Sequence, residues 1–281
     1  MTQAPGGGLG AALPRSLVLA GAGKMGGAML EGWLATGLEP DAVTVLDPNP
    51  SPGIARLAAE RGFALNPDPR PPDAPEVLVL GIKPQGLDDA AQDLASVAGP
   101  RTLLVSILAG KTVADLARAC PAAGAIVRAM PNLPASIRRG ATGAFADARV
   151  SAGQRGAADT LLSAIGTVDW LDDERQIDAV TALSGSGPAY VFHLVECMAQ
   201  AGEAAGLAPA LAARLARATV VGAAGLLDAS DLSPARLREN VTSKGGTTAA
   251  ALAVLMAGDG LAPLMRTAIL AARQRAEELS G

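Results

Sequence analysis

A short apolar run followed by three glycines limits what this chain can fold into. Residues 17–20 are four apolar residues in succession, which predicts a buried β-strand. Gly21, Gly23 and Gly26 follow directly. In such a turn the first glycine permits the sharp bend, the second lets a phosphate approach the backbone, and the third lets the next helix pack closely. The pattern is therefore typical of a turn that binds the pyrophosphate of a dinucleotide at a helix N-terminus.

An acidic residue follows at the distance that this kind of site requires. A second predicted strand, Ala42–Asp47, ends about 20 residues beyond the glycines, where a carboxylate can hold the hydroxyl groups of a ribose. Asp47 favours NADH, because a 2′-phosphate would meet a like charge there, although the sequence leaves both NADPH and NADH open. Three glycines at this spacing are by themselves a weak signal, so a purely structural strand–turn–helix unit is the alternative.

The remaining pattern predicts the fold class. From residue 16 to residue 129, short apolar strands alternate with helical patterns, which indicates a parallel sheet covered by helices on both faces. Further strands are expected at Ala141–Phe145 and Val168–Leu171, with a helix at Ser151–Ile165 between them. From Glu174 onward only helices are predicted. The predicted fold is α/β, with an N-terminal Rossmann-type doubly wound sheet followed by an all-helical C-terminal dimerisation domain.

Three segments result from this division. Residues 1–15 are rich in Gly, Ala and Pro, lack a charged region before an apolar run, and are interpreted as a flexible tail and not as a secretion signal. Residues 16–172 form the predicted dinucleotide-binding domain, and residues 173–281 form the predicted helical domain. The helical half has little aromatic mass, so we expect its apolar faces to be covered by a second subunit. A close-packed monomeric bundle is the alternative.

Composition excludes several classes of function. A formal charge of −4 offers no basic stripe and argues against nucleic acid as a partner. Two cysteines and one histidine predict neither a disulfide framework nor a metal site, and they suit the cytoplasm. The longest apolar region, Ala204–Leu227, contains Arg214 and Arg217, and is interpreted as a packed or interfacial helix, with no membrane span expected.

Loops at the carboxyl ends of the predicted strands supply further candidates, because ligands of open parallel sheets bind there. Lys83, before Pro84, would face a cofactor, and a solvated loop lysine is its alternative. The loop Ser106–Gly110 follows another strand. Asn132 stands between two prolines, where its amide would hold a nicotinamide or a substrate group, unless it only forms an Asx turn.

The helical half contains two segments of small and polar residues. Ser184–Tyr190 interrupts two predicted helices with more small and polar residues than a turn needs, which indicates close approach to a ligand or to another helix. An interhelical turn is the structural alternative. Thr242–Thr248 combines hydroxyls, exposed N–H groups and the start of a helix, which is a design for binding a carboxylate. The structural alternative is that Thr248 is the N-cap after a Gly–Gly hinge.

Several of these stretches occur together, in the same order, in one known family. The sequence resembles pyrroline-5-carboxylate reductases over nearly the whole chain after residue 15. The stretches that carry the resemblance are Gly21–Gly26, Ile82–Gln85, Val127–Asn132, Leu183–Tyr190 and Gly245–Thr248.

The resemblance implies NADPH- or NADH-dependent reduction of the C=N bond of 1-pyrroline-5-carboxylate to L-proline, the last step of proline biosynthesis. It also implies a homodimer with interlocked helical domains, which in this family often assembles into a decamer. The active site would lie between the dinucleotide domain of one subunit and the helices of its partner.

The sequence patterns and the resemblance together assign roles to individual residues. Thr248 and Lys83 are the candidate catalytic residues. The candidate substrate-binding residues are Ser243, Gly245, Gly246, Thr247 and Thr248. The candidate cofactor-binding residues are Gly21, Gly23, Lys24, Met25, Gly26, Asp47, Lys83, Pro84, Ala109 and Asn132.

Two departures and two rival interpretations accompany this assignment. Leu133 stands where Thr is usual in the family, and Lys244 stands where Pro is frequent in it.

A β-hydroxyacid-type dehydrogenase would carry a catalytic lysine on the helix after Ser184–Gly187, and this helix has none. A dinucleotide-binding regulator without turnover would have no need of the Gly–Gly–Thr–Thr loop.

Overall fold

The computed structural model describes residues 13–68 and 73–280. Most of the predicted N-terminal tail therefore lies outside the described residues. The chain forms two compact units: the first ends at Gly185 and includes the segment from Arg273 onward, and the second is Ser186–Ala272. This division lies beyond the predicted boundary after residue 172, because the first helical turns after the sheet pack on it through Ile177 and Ala182, which are buried.

An eight-stranded sheet forms the centre of the first unit. Its strands are β1 (Leu17–Ala20), β2 (Val43–Leu46), β3 (Ala64–Leu65), β4 (Val77–Leu80), β5 (Leu103–Ser106), β6 (Ala125–Met130), β7 (Gly140–Ala146) and β8 (Gly166–Leu171). Their spatial order is β3-β2-β1-β4-β5-β6-β7-β8. Every neighbouring pair is parallel except β6 and β7, which are antiparallel. The first six strands thus follow the doubly wound Rossmann order, and the predicted fold class is confirmed.

Helices cover both faces of this sheet, as the unbroken apolar strands require. On one face Trp33 is fully buried, and its indole N–H donates to the carbonyl of Leu161 (2.8 Å). On the other face Leu87, Leu94 and Leu116 are buried. Each such side chain contributes about 1.5–3 kcal/mol when removed from water. The helices that precede β8 are α1 (Lys24–Ala35), α2 (Pro52–Arg61), α3 (Leu87–Val97), α4 (Val113–Ala119) and α5 (Ala152–Ser163).

Local capping explains where these helices begin. The Ser51 hydroxyl accepts from the N–H of Ile54 at the start of α2, and Thr112 and Ser151 form capping boxes at the starts of α4 and α5. The sequence pattern predicts a helix over Gln85–Val97, but α3 begins at Leu87, because Pro84–Gly86 forms a 3₁₀ turn before it.

The rest of the described chain is helical, as predicted. The helices are α6 (Gln176–Val180), α7 (Gly187–Ala204), α8 (Pro209–Asp228), α9 (Pro234–Asn240), α10 (Thr247–Leu255) and α11 (Leu261–Ser280). The sequence pattern predicts one helix over Glu174–Leu183, but this segment is the short α6 followed by a π-helical turn, Thr181–Gly185. The Ser184–Gly187 segment therefore continues as a helical turn, and Ser186 is the N-cap of α7.

Candidate active site

The turn after β1 accommodates only glycine at its first position. Gly21 has a φ of +89°, in the left-handed region that other residues rarely adopt. A Cβ atom there would lie 2.7 Å from the backbone nitrogen of Ile82. The Gly21 N–H donates to the carbonyl of Leu46 (2.8 Å). The turn therefore lies against the ends of β2 and β4, at the switch point where open α/β sheets bind ligands.

The other two glycines of the turn have opposite surroundings. A Cβ atom on Gly26 would overlap the carbonyl oxygen of Gly21, so α1 packs directly on the turn. A Cβ atom on Gly23 would meet no described atom within 4 Å. Gly23 is also the N-cap of α1 and has no side chain to satisfy the first N–H groups of the helix, which begins with Lys24 and Met25. An open backbone face and a free helix N-terminus are thus available to an anion.

Asp47 lies beside this turn, where the sequence predicted it. One of its carboxylate oxygens accepts from the N–H of Ala22 (2.9 Å), and the other accepts from the N–H of Asn49 (2.9 Å). Asn66 in turn bonds the backbone N–H and carbonyl of Asp47 (2.8 and 2.7 Å). The carboxylate is held in place at the end of β2, and each oxygen keeps a second lone pair for a ligand hydroxyl.

A cavity of about 970 Å³ opens at this point. The turn and the end of β2 form one side of it, and the segment after β4 with α3 forms the other. Its volume is at the upper end of the range for small-molecule sites. Among the residues that line it are Gly21, Gly23, Asp47, Asn49, Lys83 and Asp89. The open glycine, the fixed carboxylate and the size of the cavity all fit the adenosine diphosphate part of a dinucleotide.

The structure does not bring every predicted cofactor residue to this cavity. Lys83 lines it and is exposed, while Pro84 begins the adjacent 3₁₀ turn. Ala109 is exposed in the loop after β5 and is not among the lining residues. This loop is bent at Gly110, where a Cβ atom would lie 2.7 Å from the carbonyl oxygen of Leu279. The role of Ala109 stays a prediction.

Asn132 is buried, and its side chain links β7 to the π-helical turn. Its side-chain oxygen accepts from the N–H of Ala141 in β7 (2.9 Å), and its amide nitrogen donates to the carbonyl of Ser184 (3.0 Å). The Asx turn that was the alternative is thus replaced by a link to the π-helical turn. Only one amide hydrogen is left for a cofactor, so the predicted cofactor role of Asn132 stays a prediction.

The predicted carboxylate loop lies in the second unit. Gly245 has a φ of +73°, and the N–H of Gly246 donates to the carbonyl of Ser243 (3.1 Å). The N-cap of α10 is Gly246, and Thr247 and Thr248 are the first two helical residues. The alternative that Thr248 is the N-cap is therefore wrong. Its hydroxyl, that of Ser243 and the first N–H groups of α10 lie within one short segment.

An ion pair that the sequence analysis missed lies at the end of β6. The Arg128 side chain is only 5% exposed, and its Nη1 donates to Oε1 of Glu174 (2.6 Å). The same oxygen accepts from the N–H of Val113 at the start of α4 (2.7 Å). Arg128 Nη2 finds no partner among the described residues. A lone arginine in an otherwise apolar strand was the available signal, because a buried charge requires a partner.

The thiols and the histidine do not form a metal site in the described part of the chain. No group of three His, Cys, Asp or Glu side chains there is placed to hold an ion. His193 and Cys197 lie on the exposed surface of α7, with Sγ and Nε2 3.5 Å apart. Cys120 is buried, and this burial raises the pKa of its thiol to about 11.

The sheet order, the open glycine turn, the carboxylate at the end of β2 and the cavity between them define a dinucleotide-binding protein of the Rossmann type. Comparison with known proteins narrows this class. Residues 174–279 match the family model described as pyrroline-5-carboxylate reductase dimerisation, and residues 16–110 match one described as NADP oxidoreductase, coenzyme F420-dependent.

Similar proteins cover nearly the whole chain. Pyrroline-5-carboxylate reductase of Pseudomonas aeruginosa is 43% identical over 263 residues, which are 92% of this chain and 95% of that protein. The solved structure of a pyrroline-5-carboxylate reductase from Coxiella burnetii is 34% identical, with a TM-score of 0.87, and the match covers 95% and 99% of the two chains. That of the Plasmodium falciparum pyrroline carboxylate reductase with NADP bound has a TM-score of 0.75 at 23% identity, over 95% and 98%, and shares the fold.

The chain belongs to the pyrroline-5-carboxylate reductase family. It is an NAD(P)-dependent oxidoreductase, and the family that the sequence resemblance indicated is confirmed. The absence of a lysine from α7 agrees with this assignment against the β-hydroxyacid dehydrogenases.

Proposed function

We propose that this enzyme reduces 1-pyrroline-5-carboxylate to L-proline with NADH or NADPH, using the glycine turn for the cofactor and the loop Ser243–Thr248 for the substrate carboxylate. The observation that carries the proposal is the 43% identity to a pyrroline-5-carboxylate reductase over 92% of the chain. The open face at Gly23 and the carboxylate loop before α10 supply the two binding functions that this reaction requires.

The chemistry demands little of the protein beyond positioning. The ring nitrogen of such an imine is readily protonated, so the substrate can enter as an iminium ion that needs no strong acid. The bound cofactor supplies the hydride. The tasks of the chain are to hold the ring against the nicotinamide and to exclude water. This agrees with a sequence that contains one histidine, located on the exposed surface of α7.

The substrate carboxylate suits the start of α10. The first N–H groups of this nine-residue helix have no intrahelical partner, and the N-cap Gly246 provides no side chain to satisfy them. The partial positive charge of the helix end favours an anion, and the Ser243 hydroxyl adds a donor. Thr248 is half-buried, and we assign its hydroxyl to a hydrogen bond with the ring nitrogen. When the substrate enters as the neutral imine, this hydroxyl passes a proton from water to that nitrogen. On the cofactor side, we assign Lys83 to a phosphate or ribose oxygen.

The test is the kinetics of Thr248→Ala, with Thr267→Ala as the matched control. Thr267 lies in the same helical unit, is exposed, and its hydroxyl donates to the carbonyl of Pro263 (3.0 Å). We expect Thr248→Ala to raise the KM for the substrate about tenfold or more, since a hydrogen bond to a charged group contributes about 1.5–3 kcal/mol. The kcat should fall as well, while the KM for the cofactor should not change. Unchanged kinetics in Thr248→Ala would remove this residue from the site.

We also propose that the enzyme is a homodimer, or a larger assembly of dimers, through its helical unit. Within Ser186–Ala272 the buried apolar residues are Ala212 and Ala216, so this unit lacks a core of its own. Large apolar side chains are instead exposed, among them Phe192, Val221, Leu226, Val254 and Leu264. Exposed apolar surface of this extent indicates a partner. Analytical ultracentrifugation should find no monomer at micromolar concentration, and a stable monomer would contradict this proposal.

The apolar helix α8 requires one further consideration. Among the described helices, Pro209–Asp228 alone has the length and composition to cross a membrane. Arg214 and Arg217, one turn apart within it, favour a protein partner over lipid. We propose a cytoplasmic enzyme without a membrane or nucleic-acid partner, consistent with its two free thiols. Recovery of the protein in the membrane fraction would contradict this.

Whether the active site combines residues of two subunits stays a prediction of the family resemblance. If the active site combines residues of two subunits, mixing an inactive Lys83 variant with an inactive Thr248 variant under conditions that exchange subunits should restore activity. No restoration in verified mixed dimers would show that each subunit works alone.

A further inference from the structure

The described part of the cofactor cavity has a strongly acidic lining. Four aspartates line it, Asp47, Asp68, Asp89 and Asp93, and Lys83 is the single cation among the described lining residues. They come from three separate segments: the end of β2, the residues after β3, and α3. Asp68 and Asp89 are exposed, so their carboxylates face any ligand through water.

Lys83 is the one cation that faces this charge in the described lining, and no arginine accompanies it there. Arg56 is the arginine nearest to Asp47 in sequence, and it was the obvious candidate partner for a 2′-phosphate. Its side chain instead pairs with Glu60 (3.8 Å) and lines a different cleft, between α1 and α2. Asp47 itself is fixed by the N–H groups of Ala22 and Asn49, so it cannot turn away from the ribose.

We infer that Asp68 and Asp89, together with Asp47, make this site select NADH over NADPH by repelling the 2′-phosphate. The inference rests on the proposed function and specifies which of the two cofactors the enzyme prefers. The two cofactors differ only by that phosphate, which carries a charge of about −1.5 to −2 at pH 7. The adenosine ribose belongs beside Asp47, and the cavity continues from there to Asp68 and Asp89.

The size of the effect follows from Coulomb's law. For a separation of about 10 Å in water of low ionic strength, the repulsion between one carboxylate and one such phosphate changes the relative affinity about threefold. Removing the charge of Asp68 or Asp89 should therefore raise the ratio of kcat/KM for NADPH to that for NADH about threefold each. Removing both should raise it about tenfold, because separate charges act nearly additively.

The experiment measures this ratio on single preparations of the wild type, Asp68→Asn, Asp89→Asn and the double variant. Asp88→Asn is the matched control, because Asp88 is the neighbouring exposed residue of α3 and does not line the cavity. A ratio within one preparation is insensitive to the fraction of active enzyme. We expect the wild type to prefer NADH, the Asn variants to shift as stated, and the Asp88→Asn ratio to equal that of the wild type.

A second readout needs no variant. Added potassium chloride screens charges that interact through water, so the relative use of NADPH by the wild type should rise with salt. The double variant should show a smaller rise.

A wild type that prefers NADPH would overturn the inference, and so would an unchanged ratio in the double variant. An equal shift in Asp88→Asn would also overturn it, because the effect would then be a general one of surface charge. Absence of turnover with either cofactor in the wild type would be a failure of the proposed function instead.

Discussion

Replacing Gly23 by alanine separates cofactor binding from folding at the glycine turn. The backbone of Gly23 has φ and ψ of −66° and −162°, which alanine adopts without strain. The added Cβ would meet no described atom within 4 Å. The fold should therefore accept the substitution, although a methyl group would project into the space where the pyrophosphate approaches. This contrasts with Gly21 and Gly26, at which a Cβ atom would collide with the backbone.

The expected magnitudes differ enough to be distinguished. Exchanging the glycine N-cap of α1 for alanine costs roughly 1 kcal/mol of stability or less. This corresponds to a shift of about 3 °C in Tm. Overpacking a close contact costs about 1–3 kcal/mol, and 2 kcal/mol is about a 30-fold loss of affinity. We therefore expect cofactor binding to weaken about 30-fold in a protein that remains folded.

The assay is calorimetric titration with NADH, alongside thermal unfolding in the absence of cofactor. Gly153→Ala is the matched control, since Gly153 is an exposed residue in the first turn of α5 with no described atom near its would-be Cβ. It should gain up to about 1 kcal/mol of stability from better helix propensity and bind NADH normally. Wild-type affinity in Gly23→Ala would refute the placement of the pyrophosphate on this turn.

Two further predictions concern buried groups. Glu174→Ala should lower the free energy of unfolding by about 3 kcal/mol, because it leaves the Arg128 charge buried without a partner. Glu174→Gln should lose less, since it keeps an acceptor for the Val113 N–H, and equal urea midpoints for these two variants would contradict the role of the ion pair. In a Cys197→Ser background, Cys120 should not react with a thiol reagent at pH 8, because its pKa is raised to about 11 and it is buried, until the protein is unfolded. Rapid labelling of the native protein would show that the thiol is accessible.

Features set by local sequence could be predicted well. The turn at Gly21, the acid at Asp47 and the alternation of strands and helices depend on short-range patterns, and the sheet order follows from rules for parallel strands. The segment Thr242–Thr248 was also singled out from its composition, and its role in binding a carboxylate stays a prediction. The structural alternative, in which Thr248 is the N-cap, is wrong, because both Gly246 and Thr248 suit an N-cap and only the backbone conformation distinguishes them.

Features that depend on distant residues could not be predicted. Asn132 bonds Ala141 and Ser184, and the latter is 52 positions away in sequence. The cavity collects Asp68 and Asp89 from segments with no common motif. The π-helical turn was likewise missed, because its glycine and serine residues suggested a loop. The carbonyl of Ser184 in this turn accepts from Asn132, and this tertiary contact is not visible in the local sequence.

Turnover of 1-pyrroline-5-carboxylate, followed by the loss of reduced nicotinamide absorbance with NADH and NADPH in parallel, tests the proposed reaction most directly. We expect turnover with formation of one L-proline for each cofactor oxidised, and faster turnover with NADH at low cofactor concentration. A folded protein that binds the dinucleotide and turns over with neither cofactor would contradict the proposed reaction.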